Sequence, residues 1–300
     1  MKRSSALLPH AGILADKAAS LRLRARSLSD SMRQGGARSL YKGRGIDFSG
    51  VREYLRGDDV RAIDWNVTAR MGKPFVKMFE EERELIVFLI VDMSASMDSG
   101  SGKYSRLQQA AQTAASVIFA SVHSAGSVGC VLFDGEILFS AEPKGGKDYA
   151  MLLFSKLNSP QPRNTAGTAL SQALRGSAAL LKNRSLVFVI SDFRCSGYEE
   201  QLATLALKHE VIAVCITDPF DAALPECGGI PFADTESGFR TVLPTSAHSF
   251  QREWKDFHKM RAERRYGLCM RRGVFPLDIS TEEDHLHRLI DFFASRERGL

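Results

Sequence analysis

No apolar run among the 300 residues reaches the eighteen or more that a membrane-spanning helix needs. The longest core-like run, Leu85–Val91, has the length of a strand. Near the N-terminus, Leu7 and Leu8 run straight into Pro9 and His10, where a secretory signal requires a longer apolar stretch. Cysteine is sparse. Cys130, Cys195, Cys215, Cys227 and Cys269 are odd in number, widely spaced and include no Cys-x-x-Cys pair. That argues against a disulfide framework and against a zinc cage, and it fits a reducing compartment. A soluble, cytoplasmic protein is expected. Internal repeats and low-complexity tracts are also missing from the sequence.

What is present is ordinary for a globular chain: 44% apolar and 25% charged residues, enough to bury a substantial core. The net charge of +5 is unevenly spread. Residues 1–44 carry ten Lys and Arg against Asp16 and Asp30, while the remainder is mildly acidic. Residues 12–33, with Ile13, Leu14, Ala18, Leu21 and Leu28 among charges, predict an amphipathic helix ended by Gly35 and Gly36. The expected organisation is a basic helical arm over 1–37, a β-rich attachment over 38–84 and the main domain over 85–300. The arm is expected to be a solvated helix, and its deletion to leave the core folded.

In the attachment, Ile46–Phe48, Val51–Tyr54, Val60–Trp65 and Phe75–Met78 predict short strands joined by turns such as Arg56–Asp59. Arg52, Arg61 and Arg70 interleave with Asp58, Asp59 and Asp64 and suggest a charge-assisted network, with Trp65 in the core. From Glu84 the texture changes. Strand-length apolar runs at Leu85–Val91, Ser127–Phe133, Leu186–Ser191, Val211–Ile216, Phe239–Leu243 and Val274–Ile279 alternate with helical patterns. Glu136–Phe139 reads as a short return strand. This pattern predicts an α/β, doubly wound and mostly parallel sheet buried on both faces.

Ligands of such sheets bind beyond the carboxyl ends of the strands. Asp92, Ser94 and Ser96 follow the first apolar strand, Asp192 follows Leu186–Ser191, and Gly167-Thr168 opens a helix between them. Two carboxylates and three hydroxyls suit a hard cation, Mg²⁺ or Mn²⁺, better than zinc. Were the carboxylates to act mainly through water, the cation would stay electrophilic and leave a position for an Asp or Glu of another protein. Each residue also has a plain alternative, as turn former or helix cap.

The Asp92-Met93-Ser94-Ala95-Ser96-Met97 stretch resembles the metal-ion-dependent adhesion site of von Willebrand factor A domains. Gly167-Thr168-Ala169-Leu170 and Ile190-Ser191-Asp192 resemble its second and third motifs. Upstream, Gly43–Phe48, Arg52-Glu53-Tyr54, Gly57–Arg61, Ile63-Asp64-Trp65 and Glu80–Arg83 resemble the bacterial family called domain of unknown function 58. That resemblance runs from about residue 38 to 280. It implies a von Willebrand factor A-like fold, with Asp92, Ser94, Ser96, Thr168 and Asp192 as metal ligands. It also implies a non-enzymatic role as adaptor or co-chaperone of a MoxR-type AAA+ ATPase. Many relatives carry N-terminal membrane helices; this chain resembles the short soluble branch. Ala169 stands where relatives often have Asp.

Three other readings come from the sequence. Gly100-Ser101-Gly102-Lys103 sits where a phosphate loop would, but Met97 and Tyr104 occupy positions needing Gly and Ser or Thr. A metal-dependent hydrolase would need a base, for which Asp98 or Asp134 are candidates, and no His falls in a site loop. Nucleic-acid binding rests on the basic arm alone.

Overall fold

The computed structural model describes residues 20–21, 25–32, 42–159, 169–233 and 240–298. Contacts divide the chain into two compact units, Ser39–Glu84 and the remainder.

In chain order, residues 25–32 are helical (α1). The small unit holds β1 (Lys42–Glu53), α2 (Trp65–Met71) and β2 (Phe75–Glu84). The large unit continues with β3 (Ile86–Asp92), α3 (Arg106–His123), β4 (Ser127–Phe133), β5 (Ile137–Lys144), α4 (Lys147–Asn158) and α5 (Leu170–Leu180). It then runs through β6 (Leu186–Ser191), α6 (Glu199–Lys208), β7 (Glu210–Thr217) and the short α7 (Pro219–Ala222). Last come β8 (Gly229–Ala233), β9 (Arg240–Pro244), α8 (His248–Arg271), β10 (Phe275–Ser280) and α9 (His285–Arg298).

The central sheet has six strands in the order β10-β7-β6-β3-β4-β5. All pairings are parallel except that of β5, which returns antiparallel along β4 at one edge. The expected α/β, doubly wound, mostly parallel architecture is therefore what the chain adopts. Strands β3 and β6 are its inner neighbours because every residue from Val87 to Asp92 and from Leu186 to Ser191 is buried. Side chains alternate across a strand. Phe88, Ile90, Val187 and Val189 face one way, packing with Leu170, Leu174 and Leu202 of α5 and α6. Phe188 belongs to the other face and meets Phe293 of α9, ring centroids 6.3 Å apart. Helix α3 starts at a capping box formed by Ser105 and Gln108, which satisfies its first amides reciprocally.

The order of strands matters for function. From β3 the chain builds outward to β4 and β5, then crosses back to lay β6 on the opposite side of β3. The winding reverses between β3 and β6, and their carboxyl ends open a crevice there. The strand expected at 239–243 forms as β9, and among the described residues it pairs with β8 alone, as a separate antiparallel ribbon outside the central sheet. Its partner, Gly229–Ala233, is a strand not foreseen from the sequence.

The small unit is a long antiparallel ribbon of β1 and β2, with Phe48 opposite Phe79 and Glu53 opposite Phe75. The strand expected at Val60–Trp65 does not form. Asp59 accepts the Arg61 amide and Asp64 accepts those of Asn66 and Val67, so the chain coils into a 3-10 turn and then α2. Those carboxylates are thereby spent on caps. Of the expected charge network, the described residues show Arg52 bound in a fork to Asp58, both bonds 2.7 Å. Trp65 is 68% exposed, a correction to its expected core position. It opens a seven-residue helix in which no residue is buried.

The solvated-arm expectation also needs correcting. Leu21, Ala25, Leu28 and Met32 are buried, and the Ser29 hydroxyl bonds to that of Ser124 at the end of α3. The helix carries an apolar stripe at three- and four-residue spacing and packs it into the large unit. Deleting residues 1–36 is therefore expected to lower stability by about 3 kcal/mol or more, from four buried apolar side chains. Chemical denaturation of the truncated chain measures it; an unchanged midpoint would return the segment to the status of a solvated arm. Among the described residues, no helix is long and apolar enough to cross a membrane.

Candidate metal centre

Asp92 is the last residue of β3 and is 1% exposed. The chain then turns: the Met93 amide donates to the Phe133 carbonyl of β4 at 2.7 Å, and Met97, fully buried, anchors the loop from below. One Asp92 oxygen accepts the Ser94 amide at 2.9 Å, a two-residue turn that carries Ser94 over the strand end. Ser94 stands at the N-cap of a 3-10 turn, Ala95–Asp98, yet its hydroxyl makes no capping bond. It faces the Ser96 hydroxyl instead, at 3.1 Å. The plain capping alternative for Ser94 is thus not what the loop does.

Asp192 follows β6 directly. Parallel pairing sets Val91 against Ile190, so the ends of the two strands bring Asp92 beside Ser191. The Ser191 hydroxyl donates to the second Asp92 oxygen at 2.6 Å and accepts the Phe193 amide at 3.0 Å. The Asp192 Oδ1 takes the Arg194 amide at 3.0 Å. Its Oδ2 is buried without a hydrogen bond and is ion-paired with the Arg194 Nε at 3.5 Å. Between them Phe193 adopts φ +50°, which is costly for a bulky residue and is held by its burial against Tyr198.

The electrostatics follow from crowding. Burial, and then the charge of Asp192, push the Asp92 carboxyl up to about 6, against the lowering effect of its Ser191 and Ser94 hydrogen bonds. Two carboxylates are being held together at the switch point of the sheet. Asp134, buried, directly follows β4. Its carbonyl accepts the Ala169 amide at 2.6 Å and its Oδ1 accepts that of Glu136 at 2.9 Å. Ala169 is thereby pinned next to the site. Thr168 itself lies outside the described residues.

The structure thus brings Asp92, Ser94, Ser96 and Asp192 to the carboxyl ends of adjacent strands. Sequence reasoning did not give Ser191 or Arg194 separate roles, although Ser191 stood within the third motif. Arg194 Nη2 reaches Asp221 of α7 at 2.6 Å, and Nη2 of the buried Arg106 donates to both oxygens of the same carboxylate, at 2.7 and 2.9 Å. Nothing local in the sequence announces that cluster. The glycine-rich Gly100–Lys103 segment also finds its explanation in packing. The Ser101 amide and hydroxyl bind Asp218, and a Cβ on Gly102 would meet the Thr281 hydroxyl at 2.5 Å.

Residues 50–265 match the model of a family described as Protein of unknown function DUF58. An uncharacterized protein of Mycobacterium tuberculosis is 30% identical over 285 residues, covering 93% of this chain and 88% of that one. Among solved structures, the conserved hypothetical protein BatB from Bacteroides thetaiotaomicron aligns at 16% identity and a TM-score of 0.42. The alignment covers 72% of this chain and all of BatB. The SpRpn10 VWA domain aligns at 13% identity and a TM-score of 0.38, over 69% of this chain and 94% of that one.

Proposed function

Because the chain belongs to the family described as Protein of unknown function DUF58, we propose that it is a non-enzymatic protein-interaction module with a von Willebrand factor A-like adhesion site. Asp92, Ser94, Ser96, Thr168 and Asp192 would hold Mg²⁺ or Mn²⁺, Thr168 being included on its motif alone. The partner is an acidic residue of another protein, in the first instance a MoxR-type AAA+ ATPase that this chain serves as adaptor or co-chaperone.

One observation carries the reading. Asp192 Oδ2 is buried without a hydrogen bond beside a second buried carboxylate, and the single Arg194 guanidinium at 3.5 Å, itself shared with Asp221, leaves the pair of carboxylates short of positive charge that a divalent cation would supply. The donor set is oxygen only, as a hard cation prefers. A divalent ion there would offer an electrophilic position to an incoming carboxylate. The chain's own residues do the positioning. Ser191 fixes the Asp92 carboxylate, the Ser94 amide sets its second oxygen, and the uncapped Ser94 and Ser96 hydroxyls stay directed at each other.

The test is a titration of the purified chain against a MoxR-type ATPase, in Mg²⁺ and in EDTA. Binding is expected in Mg²⁺ and is expected to weaken about 100-fold, roughly 3 kcal/mol, in EDTA or in Asp92→Ala. Equal affinities across those conditions would sink the adhesion reading. Mg²⁺-dependent phosphatase activity of the purified chain, lost in Asp92→Ala, would favour a metal-dependent hydrolase instead.

A further inference from the structure

A cavity of about 440 Å³ shares Asp192 as a wall with the candidate metal centre. It lies over the carboxyl ends of β6, β7 and β10 and is closed on one side by α8. Phe193, Ile216, Pro219 and Ala262 give it apolar walls. Lys255, Lys259 and Arg261 of α8 line it and bring positive charge to that wall, while His258 between them is held below its ordinary imidazole value by burial and contributes no charge near neutral pH.

The carboxylates of the same walls are already engaged. Asp218 accepts from Ser101, Phe220 and Thr281. Asp221 is shared by Arg106 and Arg194. Arg265 is neutralised by Asp278, whose two oxygens both accept from its Nη2. Arg261 has no such partner among the described residues: its hydrogen bond is to the Phe193 carbonyl, at 3.3 Å. Lys255 likewise has no ion pair there, and Lys259 has only the exposed Glu263 at 3.9 Å. Burial, and then the neighbouring charge of Arg194, lower the Arg261 guanidinium, and the charges of Asp192 and Asp221 only partly offset them.

We propose that this cavity is an anion-binding subsite for a second acidic side chain of the partner, with Arg261 and Lys255 as its anchors. The inference rests on the adhesion reading for the first carboxylate. Arg261 touches the residue next to Asp192, so the two acidic groups must lie close together on the partner. In an extended segment, residues two apart project from the same face about 7 Å apart. The matching motif is therefore two acidic residues separated by one other, with the apolar walls taking the aliphatic part of the side chain.

Two acetylated pentapeptides provide the test: one with glutamates at positions two and four, the other with the second glutamate changed to glutamine. Each is titrated in Mg²⁺ and in EDTA, followed by amide chemical shifts of residues 192–194 and 255–262. The two-glutamate peptide is expected to bind about tenfold more tightly than the one-glutamate peptide in Mg²⁺. That gain is expected to vanish in Arg261→Gln and to shrink in Lys255→Gln, while the Mg²⁺ dependence of the one-glutamate peptide persists in both. Equal binding of the two peptides, an undiminished gain in both variants, or no shift at the cavity amides would overturn the subsite. A gain that survives in EDTA and in Asp92→Ala would keep the subsite and remove the cation reading, so the two failures are distinguishable.

Discussion

Asp92→Asn is expected to raise the melting temperature of the EDTA-treated protein near pH 7.5 while abolishing its stabilisation by Mg²⁺. The sign follows from linkage. The folded-state carboxyl is raised to about 6 by burial and by Asp192, against 3.8 for the free group. A raised folded value means the favourable contribution is complete below about pH 4 and is lost as pH rises through 6. Above that, ionised Asp92 costs about 3 kcal/mol, from a shift of roughly two pH units. Asparagine removes the charge and keeps an oxygen to accept the Ser94 amide. It gives up the charge-assisted bond from Ser191, so the net gain is set at about 1–2 kcal/mol, or several degrees in a unit of this size. At about pH 4.5, where the folded-state carboxyl is already protonated, the two proteins should melt almost together. In excess Mg²⁺ the order reverses, because ligand binding stabilises wild type by about 2.7 kcal/mol at a hundredfold excess over the dissociation constant. Thermal unfolding at the two pH values, with EDTA and with Mg²⁺, reads all four states. A variant less stable than wild type in EDTA at neutral pH would show that the two carboxylates are not under the repulsion inferred for them.

Phe188→Ala should be the most damaging single truncation in the central sheet, with a loss of about 3–5 kcal/mol. Phe188 is fully buried in β6, in register with Leu89 of β3 on one side and Ile212 of β7 on the other. Its ring meets Phe293 edge-on, so it couples the sheet to α9 as well as filling the layer. Parallel strands on both sides hold the backbone in place and leave the neighbours little freedom to collapse into the void. Phe188→Leu, which keeps most of the volume, should recover more than half of the loss. Urea denaturation distinguishes them. A cost under about 1 kcal/mol for the alanine variant would mean that the β6 face relaxes far more than its packing implies.

The legible part of this protein is what local pattern encodes. A run such as Val87–Val91, apolar at every position, specifies a strand buried on both faces, and its repetition at 186–191 and 211–216 specifies a parallel, doubly wound sheet. Because ligands gather at strand carboxyl ends, Asp92, Ser94, Ser96 and Asp192 were also legible as a group. Where short-range polar chemistry competed with pattern, the reading slipped. Asp59 and Asp64 turned an expected strand into caps and a helix, and Trp65 went to the surface with them.

The remainder depended on which distant segments meet. Ser191 lies 99 positions from Asp92, and only the β3–β6 pairing makes it the group that fixes the carboxylate. Arg106 and Arg194 converge on Asp221 from separations of 115 and 27 positions. Ser29 of α1 finds its hydroxyl partner in Ser124 at the end of α3, 95 residues away. Periodicity tells each residue whether it will be inside, through the hydrophobic effect, which is non-directional. It does not tell a charge which partner it will find, since Coulomb and hydrogen-bond energies depend on ångström distances and burial that exist only after the sheet has closed.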